Sequence, residues 1–532
     1  MILQMRSVCK KSRKRKKNIF QEVFHLTGKV LKFFAAAFLL MFFSGSSFAA
    51  NERILTIAMG SDVLTFDAQN HLNTSTDCVL NNMTNMLYRK DANAEMVPEL
   101  ALGHEQINEK VWRFKIREGV TFHNGDPLTA EDVKFSFLRA ATDTTLKEYP
   151  YFKVIKDVRV VDDYTVDIET FEPLPTLLRL VSKAGADILP KKYIETNGWD
   201  HFLKNPVYSG QFEFVSWVRD DRVVIKPYEG YWGGMNTEWD EVHFRVIPEV
   251  STRVGELLTG GVDIIYNVSP NEWTRIGNNK GTSLVNGETT RIMLLVMRCT
   301  EGTPTADKRV REAIDFAIEN KVLADVLLSG SGTPTRTRVS RGVTGFDPSL
   351  YNTYCYDPER SKKLLAEAGY KDGKTLEITF TAPRGRYLMD SEVAQMIAGM
   401  LEEVGIKVRL ELLEWTSFNS LYVAKKNREM LMIGLADNYF DANYPLIHYT
   451  KDRAKGETDF SNDEADSLYK IAAKNMNHEE RVAQYQRIQQ IAAEERPHIA
   501  LYQLKANYGV NDRILFVPRI DELSRIEEIH RK

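Results

Sequence analysis

Val111-Trp-Arg-Phe-Lys-Ile-Arg-Glu-Gly-Val-Thr-Phe-His-Asn-Gly-Asp-Pro-Leu-Thr-Ala-Glu-Asp-Val-Lys-Phe-Ser-Phe-Leu-Arg-Ala140 is the stretch of this chain that decides its fold. Apolar residues alternate with basic ones at its start, the pattern of a half-buried strand: Trp112, Phe114 and Ile116. Asn124-Gly-Asp-Pro127 then predicts a turn, because glycine allows a positive φ and proline restricts φ. Thr129, with Asp132 three residues later, resembles a capping box at the start of a helix. The stretch therefore predicts a strand, a turn and a capped helix.

The order of residues in this stretch is more informative than its predicted secondary structure. Arg117-Glu-Gly-Val120, Phe122-His-Asn-Gly125 and Leu128-Thr-Ala-Glu-Asp-Val133 follow one another within it. Together they resemble the signature of the bacterial extracellular solute-binding protein family 5. The members of this family are the peptide, nickel and opine receptors that serve ATP-binding-cassette importers.

Further segments extend the resemblance from about Ile54 to Ile526. Asp357-Pro-Glu-Arg-Ser-Lys-Lys-Leu-Leu-Ala-Glu-Ala-Gly-Tyr370 is similar to another family landmark, and it also predicts a helix with Asp357 as N-cap. Tyr208-Ser-Gly-Gln-Phe212 departs from the Gly-Thr-Gly-Pro-Tyr that the family usually has at this place.

The resemblance implies an α/β fold of the periplasmic-binding-protein type II-like kind: a two-lobe flytrap with an extra subdomain in the first lobe. Lobe I is expected at residues 50–295, with the inserted subdomain at about 95–205. Lobe II is expected at residues 296–503, and residues 504–532 return to lobe I. Both crossings between the lobes are expected to be strands, at Met293–Met297 and Ile499–Tyr502.

The pattern of the second half independently predicts a parallel sheet, because strands alternate with helices at the spacing of βαβ units. The predicted strands are Leu376–Phe380, Ile406–Leu412 and Met430–Leu435, and the helices between them are Ser391–Val404 and Phe418–Lys425.

The N-terminus has the layout of a secretory signal peptide. Lys29 and Lys32 precede the apolar run Phe33–Phe43, and small residues then lead to a predicted cleavage site after Ala49. The long basic start could be genuine or could reflect a start codon assigned too far upstream. An uncleaved membrane anchor over Phe33–Ala50 is the alternative. We therefore expect a periplasmic protein, exported through a cleavable signal peptide at residues 1–49.

The net charge and the lack of known catalytic motifs argue against several classes of function. Residues 1–49 hold ten Lys or Arg and one acidic residue, so the remainder has 60 basic and 72 acidic residues and a net charge of about −12. This charge argues against a nucleic-acid partner. No HExxH, GxSxG or Walker A motif is present, so an enzyme has no positive support. Cys78, Cys299 and Cys355 show no metal-ligand spacing and cannot be paired from sequence; we expect neither a metal site nor a cofactor.

The candidate ligand-binding residues follow three predicted strands, where ligands lie at the carboxyl ends of a parallel sheet. The resemblance implies that Asp437 or Asn438 binds a peptide ammonium, within an acidic loop that also contains Asp441. It likewise implies a ligand-carboxylate role for an Arg in the turn after residue 380. Arg386 matches the position of this Arg best, and Arg384 lies two residues before it. Trp415 could stack on the ligand or line the cleft. Turn, cap, solvated-surface and core-packing roles are the alternatives for these residues.

The predicted function is thus that of a receptor for an importer, with a di- or oligopeptide as ligand. An opine, glutathione, a nickel complex or an oligosaccharide are the alternatives on the same scaffold, because the fold alone does not choose the ligand. A secreted enzyme or a sensor or chaperone module is the alternative of another class. We expect a monomer whose partners are the permease subunits in the inner membrane.

Overall fold

A computed structural model describes residues 53–92, 94–234, 237–371 and 373–532. Residues Ile54–Lys532 form one compact unit. The predicted signal peptide, its cleavage site and the alternative anchor lie outside the described residues. Within them, no helix combines the length and the apolar character that a membrane span requires.

The stretch at residues 111–140 folds as its pattern predicts. It contains the strand Val111–Ile116 and the helix Ala130–Thr142. The amide N–H of Thr129 donates to Asp132 Oδ2 at 2.9 Å, one half of a capping box. The prediction of a strand, a turn and a capped helix is confirmed.

The strands are numbered in chain order over the described residues. They are β1 Ile54–Met59, β2 Tyr88–Lys90, β3 Met96–Pro98, β4 Ala101–Asn108, β5 Val111–Ile116, β6 Ile155–Asp162, β7 Thr165–Thr170, β8 Phe212–Val218, β9 Arg222–Pro227, β10 Glu241–Val246, β11 Ile264–Tyr266, β12 Thr282–Met297, β13 Gly332–Pro334, β14 Leu376–Arg384, β15 Ile406–Glu414, β16 Met430–Leu435, β17 His498–Asn511, β18 Ile514–Leu515 and β19 His530–Arg531.

The α-helices are numbered in the same way. They are α1 Thr74–Met83, α2 Ala130–Thr142, α3 Tyr149–Phe152, α4 Leu177–Leu180, α5 Lys191–Asn197, α6 Trp199–Phe202, α7 Val250–Leu258, α8 Pro270–Gly277, α9 Lys308–Ala317, α10 Pro358–Glu367, α11 Asp390–Glu403, α12 Trp415–Val423, α13 Asn443–Leu446, α14 Lys451–Ala454, α15 Asp463–Ala472 and α16 His478–Glu495.

One sheet runs through both lobes, in the order β15-β14-β16-β12-β17-β11-β1-β10-β9-β8. The two long strands β12 and β17 pair antiparallel along almost their whole length, with a register shift between Glu288 and Ile292. On one side of this shift β17 pairs with β11 of lobe I, and on the other side β12 pairs with β16 of lobe II. The lobes are therefore joined by two continuous, hydrogen-bonded strands.

The predicted parallel sheet of lobe II is only part of this arrangement. β14 is parallel to both β15 and β16, as the βαβ pattern predicts. β12 is antiparallel to β16, so the complete sheet is mixed. β12 enters lobe II directly from lobe I and is not part of a βαβ unit. Nothing therefore requires it to be parallel to β16.

Separate hydrophobic clusters form the cores of the two lobes and of the inserted subdomain. In the subdomain, α2 lies next to β6 of the antiparallel sheet β4-β5-β7-β6. Its cluster also contains Tyr439, which follows β16 of lobe II. The subdomain thus contacts lobe II next to the predicted ligand loop.

Candidate functional site

The three predicted ligand-binding segments lie at one edge of the lobe II sheet. Arg384 is the last residue of β14 and Arg386 lies two residues after it, Trp415 follows β15, and Asp437 lies two residues after β16. Because these three strands are parallel, their carboxyl ends point to the same side. The sheet therefore brings together residues that are spread over about 50 positions of the sequence.

Asp437 is held rigidly but keeps one oxygen free. Its Oδ1 accepts hydrogen bonds from the amides of Tyr439 at 2.8 Å and Phe440 at 3.0 Å. Its own N–H donates to Thr290 Oγ1 at 3.0 Å. The residue is only 3% exposed, and no partner for Oδ2 is found among the described residues. Burial is the first cause that raises the pKa of Asp437 to about 7, and the nearby Asp441 raises it further.

Asn438 and Asp441 differ from Asp437 although they share its loop. The Asn438 side chain is exposed to solvent. Asp441 is 1% exposed, and its Oδ2 lies 3.4 Å from an Arg481 nitrogen inside lobe II. Its Oδ1 accepts the amide N–H of Asn443 at 3.0 Å. Both oxygens of Asp441 therefore already have partners, and none is left for the ligand contact that was predicted for it. We propose instead that Asp441 stabilises the loop.

A carboxylate also organises the turn that carries the arginines. Asp390 accepts the amide N–H groups of Gly385, Arg386 and Tyr387 at 2.9, 2.8 and 3.0 Å. The Arg384 side chain is exposed. These bonds set the direction in which the Arg386 side chain leaves the turn.

The Arg386 guanidinium lies against aromatic rings. Its centre is 5.1 Å from the Trp415 ring and 5.3 Å from the Tyr387 ring, both within cation–π range. No carboxylate lies within ion-pair distance of the Arg386 guanidinium in the part of the chain described. Trp415 stacks on the buried Phe418 with 5.7 Å between ring centroids, so core packing fixes the ring that Arg386 contacts.

Two residues that the sequence pattern did not single out connect these segments, Tyr387 and Arg291. The hydroxyl of Tyr387 donates to the carbonyl of Gly434 in β16 at 2.8 Å, which ties the arginine turn to the strand before Asp437. Arg291 lies 5.9 Å from the Tyr387 ring and pairs with Glu522 at 3.2 Å. The signal for Arg291 was present, because it is the charged residue at the start of an apolar run in β12.

Lobe I covers the loop that contains Asp437. The hydroxyls of Tyr151 and Tyr444 lie 3.1 Å apart, and the Lys90 ammonium lies 5.4 Å from the Phe440 ring. A groove of about 370 Å³ and a cavity of about 20 Å³ lie elsewhere, and the predicted residues line neither of them. The lobes are therefore in contact over the candidate site.

The described part of the chain contains no group of three or more His, Cys, Asp or Glu side chains able to hold a metal ion. Cys78, Cys299 and Cys355 are free thiols in this structure.

Comparisons with known proteins agree on one family. The family model described as bacterial extracellular solute-binding proteins, family 5 Middle, matches residues 95–457. The glutathione-binding protein GsiB of Salmonella typhimurium is 25% identical over 458 residues, which cover 84% of this chain and 88% of that protein.

Solved structures share the fold. A dipeptide-binding protein from Pseudoalteromonas sp. SM9913, in complex with Met-Leu, has a TM-score of 0.77 at 20% identity, over 90% of this chain and 100% of that one. NikZ from Campylobacter jejuni, in complex with Ni(L-His), has a TM-score of 0.76 at 20% identity, over the same shares. At this identity the likeness shows the type II periplasmic-binding-protein fold that the sequence predicts.

Proposed function

Because this chain belongs to the bacterial extracellular solute-binding proteins of family 5, we propose that it captures a short peptide between its two lobes and delivers it to the permease of an ABC importer. The role in an ABC importer follows from the family, whereas a peptide as the ligand is inferred from the residues of the site. We further propose that the chain works in the periplasm as a monomer, after removal of residues 1–49, and returns its ligand chemically unchanged.

The observation that carries the peptide proposal is the free oxygen of Asp437. A buried polar atom without a partner costs roughly 1–3 kcal/mol, so such atoms are rare in folded proteins. The other oxygen of Asp437 is occupied by two amide N–H groups, which leaves Oδ2 oriented but unused. A ligand ammonium supplies both the missing donors and the opposite charge.

Arg386 supplies the complementary charge at the same edge of the sheet. A guanidinium without an acidic partner, held on the face of Trp415, is suited to a carboxylate, which it can bind through two parallel hydrogen bonds. An acid on one loop and a base on the next match the two charged ends of a zwitterion. A short peptide has both ends.

Glutathione is a second candidate, and the local charge count favours it. The turn carries two arginines, Arg384 and Arg386, whereas the adjacent loop offers one free carboxylate oxygen. Glutathione has one ammonium and two carboxylates, in the same proportion. The relative GsiB is named for binding glutathione.

The first experiment is native mass spectrometry of the purified protein, followed by calorimetry with Met-Leu, trialanine, glutathione and Ni(L-His). We expect a retained peptide mass and micromolar or tighter binding of at least one peptide, recovered intact after incubation. Binding of Ni(L-His) alone, with no heat from any peptide, would replace the peptide proposal with the nickel alternative.

A second experiment tests the basic end of the site. Arg386→Met should weaken Met-Leu binding about tenfold, because an exposed charge-assisted hydrogen bond contributes about 1.5 kcal/mol. Arg384→Met should weaken glutathione binding but leave Met-Leu binding within about twofold, if it meets only the second carboxylate. Arg409→Met is the matched control, since Arg409 is exposed on β15 and pairs with Glu411. Equal losses in Arg386→Met and the control would remove Arg386 from the site.

A further inference from the structure

Two contacts between lobe I and lobe II involve residues 437–444, which we call the anchor loop because it begins with Asp437. Tyr151 meets Tyr444 and Lys90 meets Phe440 within this loop. A third contact reaches the segment directly beside the loop, where Arg179 Nη2 donates to Thr344 Oγ1 at 3.2 Å. Arg179 belongs to α4 of the inserted subdomain in lobe I.

Arg179 is held by neutral acceptors at both ends of its guanidinium. Its Nη1 donates to the carbonyl of Ala94 at 2.9 Å, in the turn between β2 and β3. Burial lowers the pKa of Arg179, and Asp441, Glu95 and Asp437 raise it, but no carboxylate lies within 4 Å of the guanidinium among the described residues. The guanidinium therefore acts as a bridge from the lobe I turn to lobe II.

Thr344 transmits this bridge to the anchor loop. Its amide donates to the carbonyl of Phe440 at 3.2 Å, and its carbonyl accepts the N–H of Ala442 at 2.9 Å. Phe440 has a φ of 57°, a left-handed conformation that costs energy for a non-glycine residue. The same Phe440 amide is fixed by Asp437 Oδ1. Thr344 thus helps to hold the backbone that orients the Asp437 carboxylate.

We propose that Arg179 is a positioning residue for ligand capture: when the lobes close, it holds the anchor loop through Thr344 and so keeps the Asp437 carboxylate in the orientation that binds an ammonium. This inference rests on the proposed function.

Two substitutions test the bridge. Arg179→Met removes both hydrogen bonds, so the dissociation rate of Met-Leu or glutathione should rise about tenfold while the association rate stays nearly the same, because such contacts act mainly on dissociation. Arg179→Lys keeps the positive charge but lacks the planar fork that reaches both acceptors, so it should raise the dissociation rate as well.

Arg159→Met is the matched control. Arg159 lies on the outer sheet of the same subdomain, is 51% exposed and pairs with Glu169 at 3.3 Å. Its dissociation rate should match that of the unaltered protein. If Arg179→Met behaves like this control with a probe that binds the unaltered chain, the positioning role is wrong.

Hydrogen exchange tests the role of Arg179 without the need for a known ligand. The amides of Thr344, Phe440 and Ala442 should exchange faster in Arg179→Met than in the unaltered protein and in Arg159→Met. If neither Met-Leu nor glutathione binds the unaltered chain, the peptide proposal fails while this readout still applies. Equal exchange in all three proteins would overturn the role of Arg179.

Discussion

Replacing Asp437 with Asn should weaken binding of Met-Leu by a factor of about thirty to several thousand. Loss of one partner from a desolvated charge pair costs about 2–5 kcal/mol, and each 1.4 kcal/mol corresponds to tenfold. The substitution is close to isosteric, and the Asn oxygen can still accept from Tyr439 and Phe440. Calorimetry measures the affinity, and thermal unfolding of the ligand-free protein should show no loss of stability.

Asp441→Asn is the contrasting variant in the same loop. It should keep the affinity within about threefold, but lower the unfolding temperature, because Arg481 would retain a buried charge without a carboxylate. A loss of affinity in Asp441→Asn as large as that in Asp437→Asn would restore Asp441 as a direct ligand residue. Unchanged affinity in Asp437→Asn would remove the anchor assignment.

Binding of Met-Leu should decrease about tenfold for each pH unit below about 7. The Asp437 carboxyl has a pKa of about 7, raised first by burial, so the ligand-free protein takes up a proton there below this pH. An ammonium requires the ionised carboxylate, and its binding must then release that proton. Above about pH 8 the affinity should fall again, because the peptide amine itself loses its proton.

The stability of the ligand-free protein should change in the opposite sense. The folded-state pKa of Asp437 lies above its ordinary value of 3.8, so the folded chain binds the proton more tightly than the unfolded chain. The contribution of Asp437 to the free energy of unfolding therefore decreases as the pH rises from about 4 to about 7. Asp437→Asn should accordingly gain stability over the unaltered protein at pH 8 and not at pH 4.

For the binding prediction, calorimetry in buffers of different ionisation enthalpy would count the proton that ligand binding releases. An affinity for Met-Leu that does not change between pH 5 and 7 would contradict the assignment of Asp437 as the ammonium-binding residue.

Local physical chemistry allowed the sequence to predict the elements that bear the site. Alternation of apolar residues defined β5, and the Thr129–Asp132 box defined the start of α2, because both depend on neighbours in the chain. Asp357 before Pro358 likewise begins α10, with Asp357 Oδ1 accepting the Arg360 amide at 2.9 Å. The strand–helix alternation of lobe II was enough to predict that three loops would meet at one edge.

The tertiary structure decided what each charged residue at that edge contacts. Asp437 and Asp441 are the same residue type in one loop, yet one keeps a free oxygen and the other faces Arg481 from a distant helix. Arg179 joins the same site from lobe I, across 165 residues from Thr344. Hydrophobic patterning has a period set by the local backbone, so sequence predicts which face of an element is buried. The partner of a buried charge depends on where distant elements meet, and only the folded chain determines that.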